Sequence, residues 1–223
     1  MLPEAVPHHA SAALAHQFDT AGQQKEAATL GMWVFLVTEI LFFGGLFATY
    51  LVYRNWYPEA FTTGSREMLV WAGTTNTFVL ITSSLTMALA VHAAQLGQRR
   101  LLMFFLVVTM ALGCVFLGIK GFEYYTEYLE HHVPGFGLPF HAEQSQHEQI
   151  FFSLYFMMTG IHALHMIIGL GIMSTMLWWS YRGIITTEYT NPIEVSGLYW
   201  HFVDIVWIFL FPLLYLIGRH VHG

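Results

Sequence analysis

Five apolar runs, each long enough to cross a lipid bilayer, constrain what this 223-residue chain can fold into. A helix needs about 20 mostly apolar residues to cross the hydrocarbon core. Lipid offers no partner to backbone N–H and C=O groups, and the runs are longer than barrel strands, so they must be helices. We therefore expect an all-α membrane protein, a bundle of five transmembrane helices. The five runs are Thr29–Tyr53, Met68–Ala93, Leu101–Phe122, Ile150–Trp179 and Pro192–Gly218.

Composition supports the membrane assignment and excludes several other classes. Hydrophobic residues make up 56% of the chain and charged residues only 10%, whereas soluble domains carry about 25% charged residues. The net charge of −6, with eight lysines and arginines, gives no basis for nucleic-acid binding. Cys114 is the single cysteine, which excludes an intrachain disulfide and a cysteine-rich metal site.

The chain divides into a polar N-terminal tail, residues 1–28, and a membrane domain, residues 29–223. The tail carries His8, His9 and His16. Lysines and arginines divide equally between the two sides of the membrane, so the positive-inside rule does not orient the chain. An odd number of spans still places the two termini on opposite sides.

The longest connection between runs, residues 123–149, is acidic and rich in histidine. A solvated loop is one interpretation, and a metal-binding or partner-docking surface is the other. The residues concerned are Glu123, Glu127, Glu130, His131, His132, His141, Glu143, His147 and Glu148.

Several polar residues lie within the apolar runs, where an ionisable side chain costs roughly 2.5–3.5 kcal/mol near the bilayer centre. Such residues face the interior of a bundle or a partner protein and not lipid. We expect five of them to be buried polar, proton-related groups: Glu39, His162, His165, His201 and Asp204. Four others are expected to be structural polar positions: Asn76, His92, Glu123 and Trp200.

Spacing indicates which of these groups can act together. His162 and His165 are three residues apart, as are His201 and Asp204, so each pair is predicted to share a helix face. Glu39 is the acid best placed to accept a hydrogen bond from one of these imidazoles across a helix interface.

Three interpretations of the buried polar groups remain open on these residues alone. In the first, they are hydrogen-bonding contacts between helices. In the second, His162, His165, His201 and His92 include ligands of a metal or a haem, whose two axial imidazoles must come from different spans. In the third, Glu39 and the histidines form a proton path, since histidine titrates near neutral pH. No nucleophile–base motif, phosphate-binding loop or dinucleotide fingerprint occurs in the sequence.

Five segments, in order along the chain, resemble motifs of subunit III of the haem–copper cytochrome c oxidases. They are Thr38–Phe43 (TEILFF), Asn76-Thr77 with His92, Leu117–Tyr125 (LGIKGFEYY), Thr159–Gly169 (TGIHALHMIIG) and Tyr199–Trp207 (YWHFVDIVW). The resemblance extends from about Thr29 to the C-terminus. It is to the short bacterial form of the family, which lacks the first two helices of the seven-helix form.

The resemblance implies a metal-free accessory subunit that stabilises subunit I and supports proton uptake during aerobic electron transport. Haem and copper would lie in the partner subunits, I and II, and the buried histidines would not be ligands. No catalytic centre is then expected on this chain. Bound phospholipid and a larger respiratory supercomplex are further implied associations. The family orientation in the bacterial cytoplasmic (inner) membrane puts the N-terminus in the cytoplasm and the C-terminus in the periplasm.

Alternatives to a cytochrome c oxidase subunit also follow from the resemblance and from the residues. The short form is shared with quinol oxidases and with nitric-oxide-reducing systems, so the electron donor stays open. A standalone haem-binding or transport protein is the alternative from another class. Neither the residues nor the resemblance assigns a role to the tail or to the loop at residues 123–149.

Overall fold

The computed structural model describes residues 17–130, 146–187 and 189–219. Helices fill most of these ranges, and no strand occurs within them apart from one isolated bridge between Thr186 and Tyr189. The helices are α1 (Ala21–Trp56), α2 (Pro58–Glu67), α3 (Val70–Gln95), α4 (Arg99–Leu129), α5 (Gln146–Arg182) and α6 (Asn191–Phe211). A π-helical turn, Pro212–Leu216, and a 3₁₀ turn, Ile217–Arg219, continue α6.

The predicted bundle of five transmembrane helices is confirmed. Helices α1, α3, α4, α5 and α6 are long and apolar enough to cross a membrane. Helix α6 is the most buried of the five and packs against α1, α3 and α5. Helices α3 and α4 form a closely packed pair, whereas α1 is the least buried span. The polar groups of α6 are therefore the ones that the other helices surround.

Helix α1 starts well before the apolar run, so the predicted boundary at residue 28 falls inside a helix. The hydroxyl of Thr20 caps this helix by accepting from the backbone N–H of Gln23 at 3.1 Å. The Gln23 side chain reaches back to accept from the N–H of Asp19 at 2.9 Å. This reciprocal capping satisfies backbone donors that otherwise lack partners at a helix start. Residues 1–16, with His8, His9 and His16, lie outside the described part of the chain.

Helix α2 is an element that the apolar runs do not predict. Pro58 occupies its first turn, where a missing N–H is tolerated, and Glu59 complements the positive end of the helix dipole. Its residues are too polar for a span, but Phe61 is fully buried against Tyr50 and Phe151. The helix therefore lies on the bundle and joins α1 to α3.

The predicted bounds of the loop, residues 123–149, are wrong at both ends. Helix α4 continues to Leu129, which places Glu123 and Glu127 in a helix, with both residues buried. Helix α5 begins at Gln146, so His147 is also helical. Glu123 stays in the helix because Lys120, one turn earlier, neutralises its charge. Residues 131–145 of the predicted loop, including its other three histidines, lie outside the described residues.

Candidate functional site

Glu39 of α1 and His165 of α5 form a hydrogen-bonded pair across a helix interface. The Nε2 atom of His165 lies 3.1 Å from Oε2 of Glu39. The sequence predicts a contact between Glu39 and an imidazole across a helix interface, and the structure has this contact between two partly buried side chains. The edge of the Phe43 ring also packs on His165, at a centroid distance of 5.3 Å.

The second nitrogen of His165 lies against its own helix, 2.9 Å from the carbonyl oxygen of Ile161. That oxygen can only accept, so a hydrogen on Nδ1 suits the contact. Nε2 and Oε2 of Glu39 are within hydrogen-bond reach of each other, and which of the two donates depends on the imidazole tautomer. An imidazole and a carboxyl group in such contact can pass a proton between them.

An open cavity of about 400 Å³ lies beside this pair. The pair is only partly shielded, since the side chains of His165 and Glu39 remain 13% and 19% exposed. The hydroxyl of Tyr199, from α6, donates to the backbone carbonyl of His165 at 3.0 Å and fixes this part of α5. The Glu39–His165 pair is therefore reachable from the side of the bundle. The cavity is lined by Met32, Phe35, Glu39, His165, Ile168, Ile172, Val195, Ser196 and Tyr199.

His162 lies in a different environment from His165, so the two do not form the shared polar face that their spacing predicts. The His162 ring is buried between Phe116 and Trp207, with centroid distances of 5.5 and 5.3 Å. Neither ring nitrogen has a hydrogen-bond partner among the described residues. His165 turns instead towards α1 and the open cavity. The aromatic rings around His162 come from α4 and α6, which crowd that side of α5.

The polar groups of α6 meet α3. Nδ1 of His201 lies 2.7 Å from the hydroxyl of Ser84. The indole N–H of Trp200 donates to the hydroxyl of Ser83 at 3.0 Å, so this fully buried ring is held at its polar atom. Asp204 is buried and neither of its oxygens has a hydrogen-bond partner in the described ranges. The predicted His201–Asp204 face therefore lies on the α3 side of α6.

The two remaining predicted positions on α3 differ in burial. Asn76 is fully buried, and neither its amide nitrogen nor its oxygen has a partner within the described residues. His92 is exposed near the end of the helix. Asn76 is therefore one of the buried polar groups, whereas His92 is a surface residue. Their predicted structural roles stay predictions.

A buried ion pair that the sequence did not single out is the most completely bonded polar cluster described in the bundle. Lys120 Nζ donates to Oε2 of Glu123 at 3.0 Å and to the hydroxyls of Tyr155 and Tyr215 at 3.0 and 2.8 Å. Both tyrosines in turn donate to Oε1 of Glu123, at 2.8 and 2.5 Å. We call these four residues the Lys120 cluster. It joins α4, α5 and the π-helical turn after α6.

The Lys120 cluster satisfies its buried charges without water. A lysine ammonium has three donors, and each has an acceptor here. The rings of Tyr124, Tyr155, Trp207 and Tyr215 also surround Nζ at 4.9–5.5 Å, which adds cation–π attraction. The available signal was the three-residue spacing of Lys120 and Glu123 on one helix face. Because the predicted third run ends at Phe122, it assigns Lys120 to a span and Glu123 to a loop, so the pair is not recognised.

No group of three or more histidine, cysteine, aspartate or glutamate residues with metal-binding geometry occurs within the described ranges. Most of the described polar groups instead form hydrogen-bonded pairs or contact aromatic rings, whereas Asn76 and Asp204 do neither among the described residues. What they can do chemically is to hold protons and to hydrogen-bond across helix interfaces.

Comparison with known proteins gives one consistent family. Residues 12–219 match the family model described as cytochrome c oxidase subunit III. The chain is 34% identical to cytochrome c oxidase subunit 3 of Thermostichus vulcanus, over 90% of this chain and 92% of that protein. It is 33% identical to quinol oxidase subunit 3 of Bacillus spizizenii, over 85% of this chain and 86% of that protein. It is 31% identical to a probable quinol oxidase subunit 3 of Staphylococcus haemolyticus, over 92% of this chain and 96% of that protein.

Proposed function

Because the chain belongs to the cytochrome c oxidase subunit III family, we propose that it is the metal-free subunit III of a bacterial cytochrome c oxidase. Family membership makes it an accessory subunit of a haem–copper oxidase, associated with other oxidase subunits. The finer proposal is that it stabilises subunit I and supports the proton supply to that subunit. Haem and copper belong to subunits I and II in this proposal, and no catalytic step occurs on this chain.

The observation that supports the proposed role is the hydrogen-bonded contact between Glu39 and His165 beside an open cavity. This pair is partly exposed, whereas the Lys120 cluster is enclosed by the bundle. Histidine acts as a proton shuttle in many proteins because its charge changes near neutral pH. We propose that subunit I takes up protons that this pair has held.

Location and associated molecules form part of the same proposal. The five spans make the chain a membrane protein, and we propose the bacterial cytoplasmic membrane, with the N-terminus in the cytoplasm and the C-terminus in the periplasm. Bound phospholipid fits the open, largely apolar cavity beside Glu39. Membership of a larger respiratory supercomplex is a further proposal that rests on the family alone.

A quinol oxidase is the second candidate for the host complex. The observation that favours it is that relatives named for both oxidases cover this chain at 31–34% identity. The purified complex distinguishes the two: oxygen consumption with reduced cytochrome c and none with a quinol identifies the first host. Oxygen consumption with a quinol alone identifies the second.

Replacement of Glu39 tests the proposed role in proton supply. Glu39→Ala should leave the haem spectrum of the complex unchanged but shorten the time for which turnover is sustained. The effect should be largest at high pH, where free protons are scarce. Thr38→Ala is the matched control, because the Thr38 hydroxyl bonds only within its own helix, to the Phe35 carbonyl at 2.6 Å. If Glu39→Ala altered neither assembly nor sustained turnover, the proposed role of the pair would be wrong.

Absorption spectroscopy of the isolated chain tests the metal-free assignment. A stoichiometric Soret band on the purified chain would contradict it and favour a haem-binding protein. Mass spectrometry of the intact complex should find a haem–copper subunit I with this chain, and its consistent absence would favour a standalone transporter.

A further inference from the structure

The Glu39–His165 pair joins α1 to α5, but a third helix sets the distance between them. Helix α1 is the least buried span, and its most extensive contact is with α6. Helix α6 also packs against α5. The position of Glu39 relative to His165 therefore depends on α6, which contributes neither residue of the pair.

Tyr199 of α6 contacts both helices next to the pair. Its hydroxyl donates to the backbone carbonyl of His165 at 3.0 Å. Its ring stacks on Phe35 of α1, with a centroid distance of 6.0 Å and an angle of 27° between the rings. Phe35 lies one helical turn before Glu39 on the same face, and all four side chains line the cavity beside the pair. One buried side chain thus touches both turns that carry the pair.

Gly169 allows α6 to lie close enough to α5 for this contact. It follows His165 by one helical turn, and a Cβ at Gly169 would lie 2.9 Å from the ring of Trp200 and 3.2 Å from that of Tyr199. Both rings are held at their polar atoms, since the indole N–H of Trp200 donates to the hydroxyl of Ser83. A side chain at position 169 would therefore separate the two helices.

We propose that Tyr199 is a positioning residue for the Glu39–His165 pair, which it holds in hydrogen-bonding geometry from α6. The inference rests on the proposed function of that pair in proton supply. Tyr199 neither gives nor accepts the proton of the pair. It fixes the backbone from which the imidazole projects, and a hydrogen bond weakens steeply when its length or angle changes.

Removal of the hydroxyl tests the proposal in the oxidase complex. Tyr199→Phe keeps the ring on Phe35 but deletes the hydrogen bond to His165. It should shorten the time of sustained turnover at high pH by about 2- to 10-fold, the change in population that one hydrogen bond can hold. Combined with Glu39→Ala it should add nothing, because residues that act through one contact are not additive. An additive effect would overturn the proposal and leave the proposed function standing.

Tyr124→Phe is the matched control for the loss of a hydroxyl. The hydroxyl of Tyr124 lies 2.6 Å from that of Thr159, so this variant also loses one hydrogen bond to α5, but from α4. Its sustained turnover should depend on pH as in the wild type. The same pH dependence in Tyr199→Phe and Tyr124→Phe would mean that Tyr199 acts through stability alone, and would overturn the proposal.

The imidazole of His165 gives a second readout that does not depend on turnover. Nitrogen NMR of the purified chain with isotopically labelled histidine resolves the ring nitrogens, and His165 is assigned by the loss of its signals in His165→Gln. Tyr199→Phe should shift the Nε2 signal of His165, because the contact with Glu39 changes, whereas Tyr124→Phe should not. An unshifted Nε2 signal in Tyr199→Phe would overturn the proposal whatever the result for turnover.

Two glycine variants test the approach of α6 to α5 without removing a polar group. Gly169→Ala should shift the same Nε2 signal, because the added methyl group meets the rings of Trp200 and Tyr199. Gly171→Ala is the control on the same helix, where a Cβ meets open space and the signal should not move. Equal signals in the two variants would overturn the part of the proposal that concerns Gly169.

Discussion

Removing the lysine of the Lys120 cluster leaves a carboxylate inside the bundle without its counter-charge. Lys120→Met keeps most of the side-chain volume but deletes the ammonium group. Glu123, which is fully buried, then retains only the two tyrosine hydroxyls as donors. We expect this to be among the most destabilising single substitutions in the described part of the chain.

The magnitude follows from the burial of both partners. The Lys120 and Glu123 side chains are 4% and 0% exposed, so solvent screens their interaction very little. Breaking a buried ion pair by removing one partner costs about 3–5 kcal/mol. The loss of the hydrogen bonds from Nζ to Tyr155 and Tyr215 is included in that figure. We therefore expect the free energy of unfolding to fall by about 3–5 kcal/mol.

The double variant Lys120→Met/Glu123→Gln is the control that isolates the charge. The glutamine amide oxygen can still accept from both tyrosines, and neither position 120 nor position 123 then carries a charge. Replacing a buried ion pair by uncharged groups is often neutral, so the double variant should recover most of the lost stability. Both variants are compared with the wild type by denaturing the purified chain from mild detergent with dodecyl sulfate, followed by circular dichroism.

Two results would refute the reasoning about the Lys120 cluster. One is a loss below about 1 kcal/mol for Lys120→Met, the value of an exposed ion pair. The other is a double variant no more stable than the single one, which would mean that the lysine acts by packing and not by charge.

Two further predictions concern the buried indole of Trp200. A Cβ added at Gly113 would lie 2.9 Å from that ring, so Gly113→Ala should lower the free energy of unfolding by about 1–3 kcal/mol. Gly118 is the control on the same helix. A Cβ there meets open space, so Gly118→Ala should not destabilise the protein. Ser83→Ala leaves the indole N–H of Trp200 without its acceptor and should cost about 1–3 kcal/mol in the same denaturation assay. An equal effect of the two glycine variants, or a neutral Ser83→Ala, would contradict the described packing of the ring.

Hydropathy predicts the spans well but their ends poorly, for a physical reason. The length of an apolar run reports contact with lipid, whereas a helix ends where its backbone loses partners. Helix α4 continues past Phe122 because Lys120 and Glu123 neutralise each other inside the bundle. Helix α1 begins early because Thr20 and Gln23 cap it in polar surroundings.

The candidate site is predictable from the sequence at the level of residue type, but not at the level of the individual partner. Glu39 is the acid in the first run, so its contact with a histidine follows from residue types. Which histidine it meets does not follow, because His162 and His165 are separated only by the packing of α4 and α6 against α5. The tyrosines of the Lys120 cluster were not predictable, since Tyr155 and Tyr215 have no spacing relation to Lys120.

The position of Tyr215 has a consequence for biogenesis. It follows Lys120 by 95 residues, so a ribosome that has made α4 has not yet made the last hydroxyl that bonds the ammonium group. The nascent chain therefore carries an incompletely solvated ion pair through the insertion of α5 and α6. The hydrogen bonds of that ion pair are therefore completed only when the π-helical turn folds against α4, after all five spans have been made.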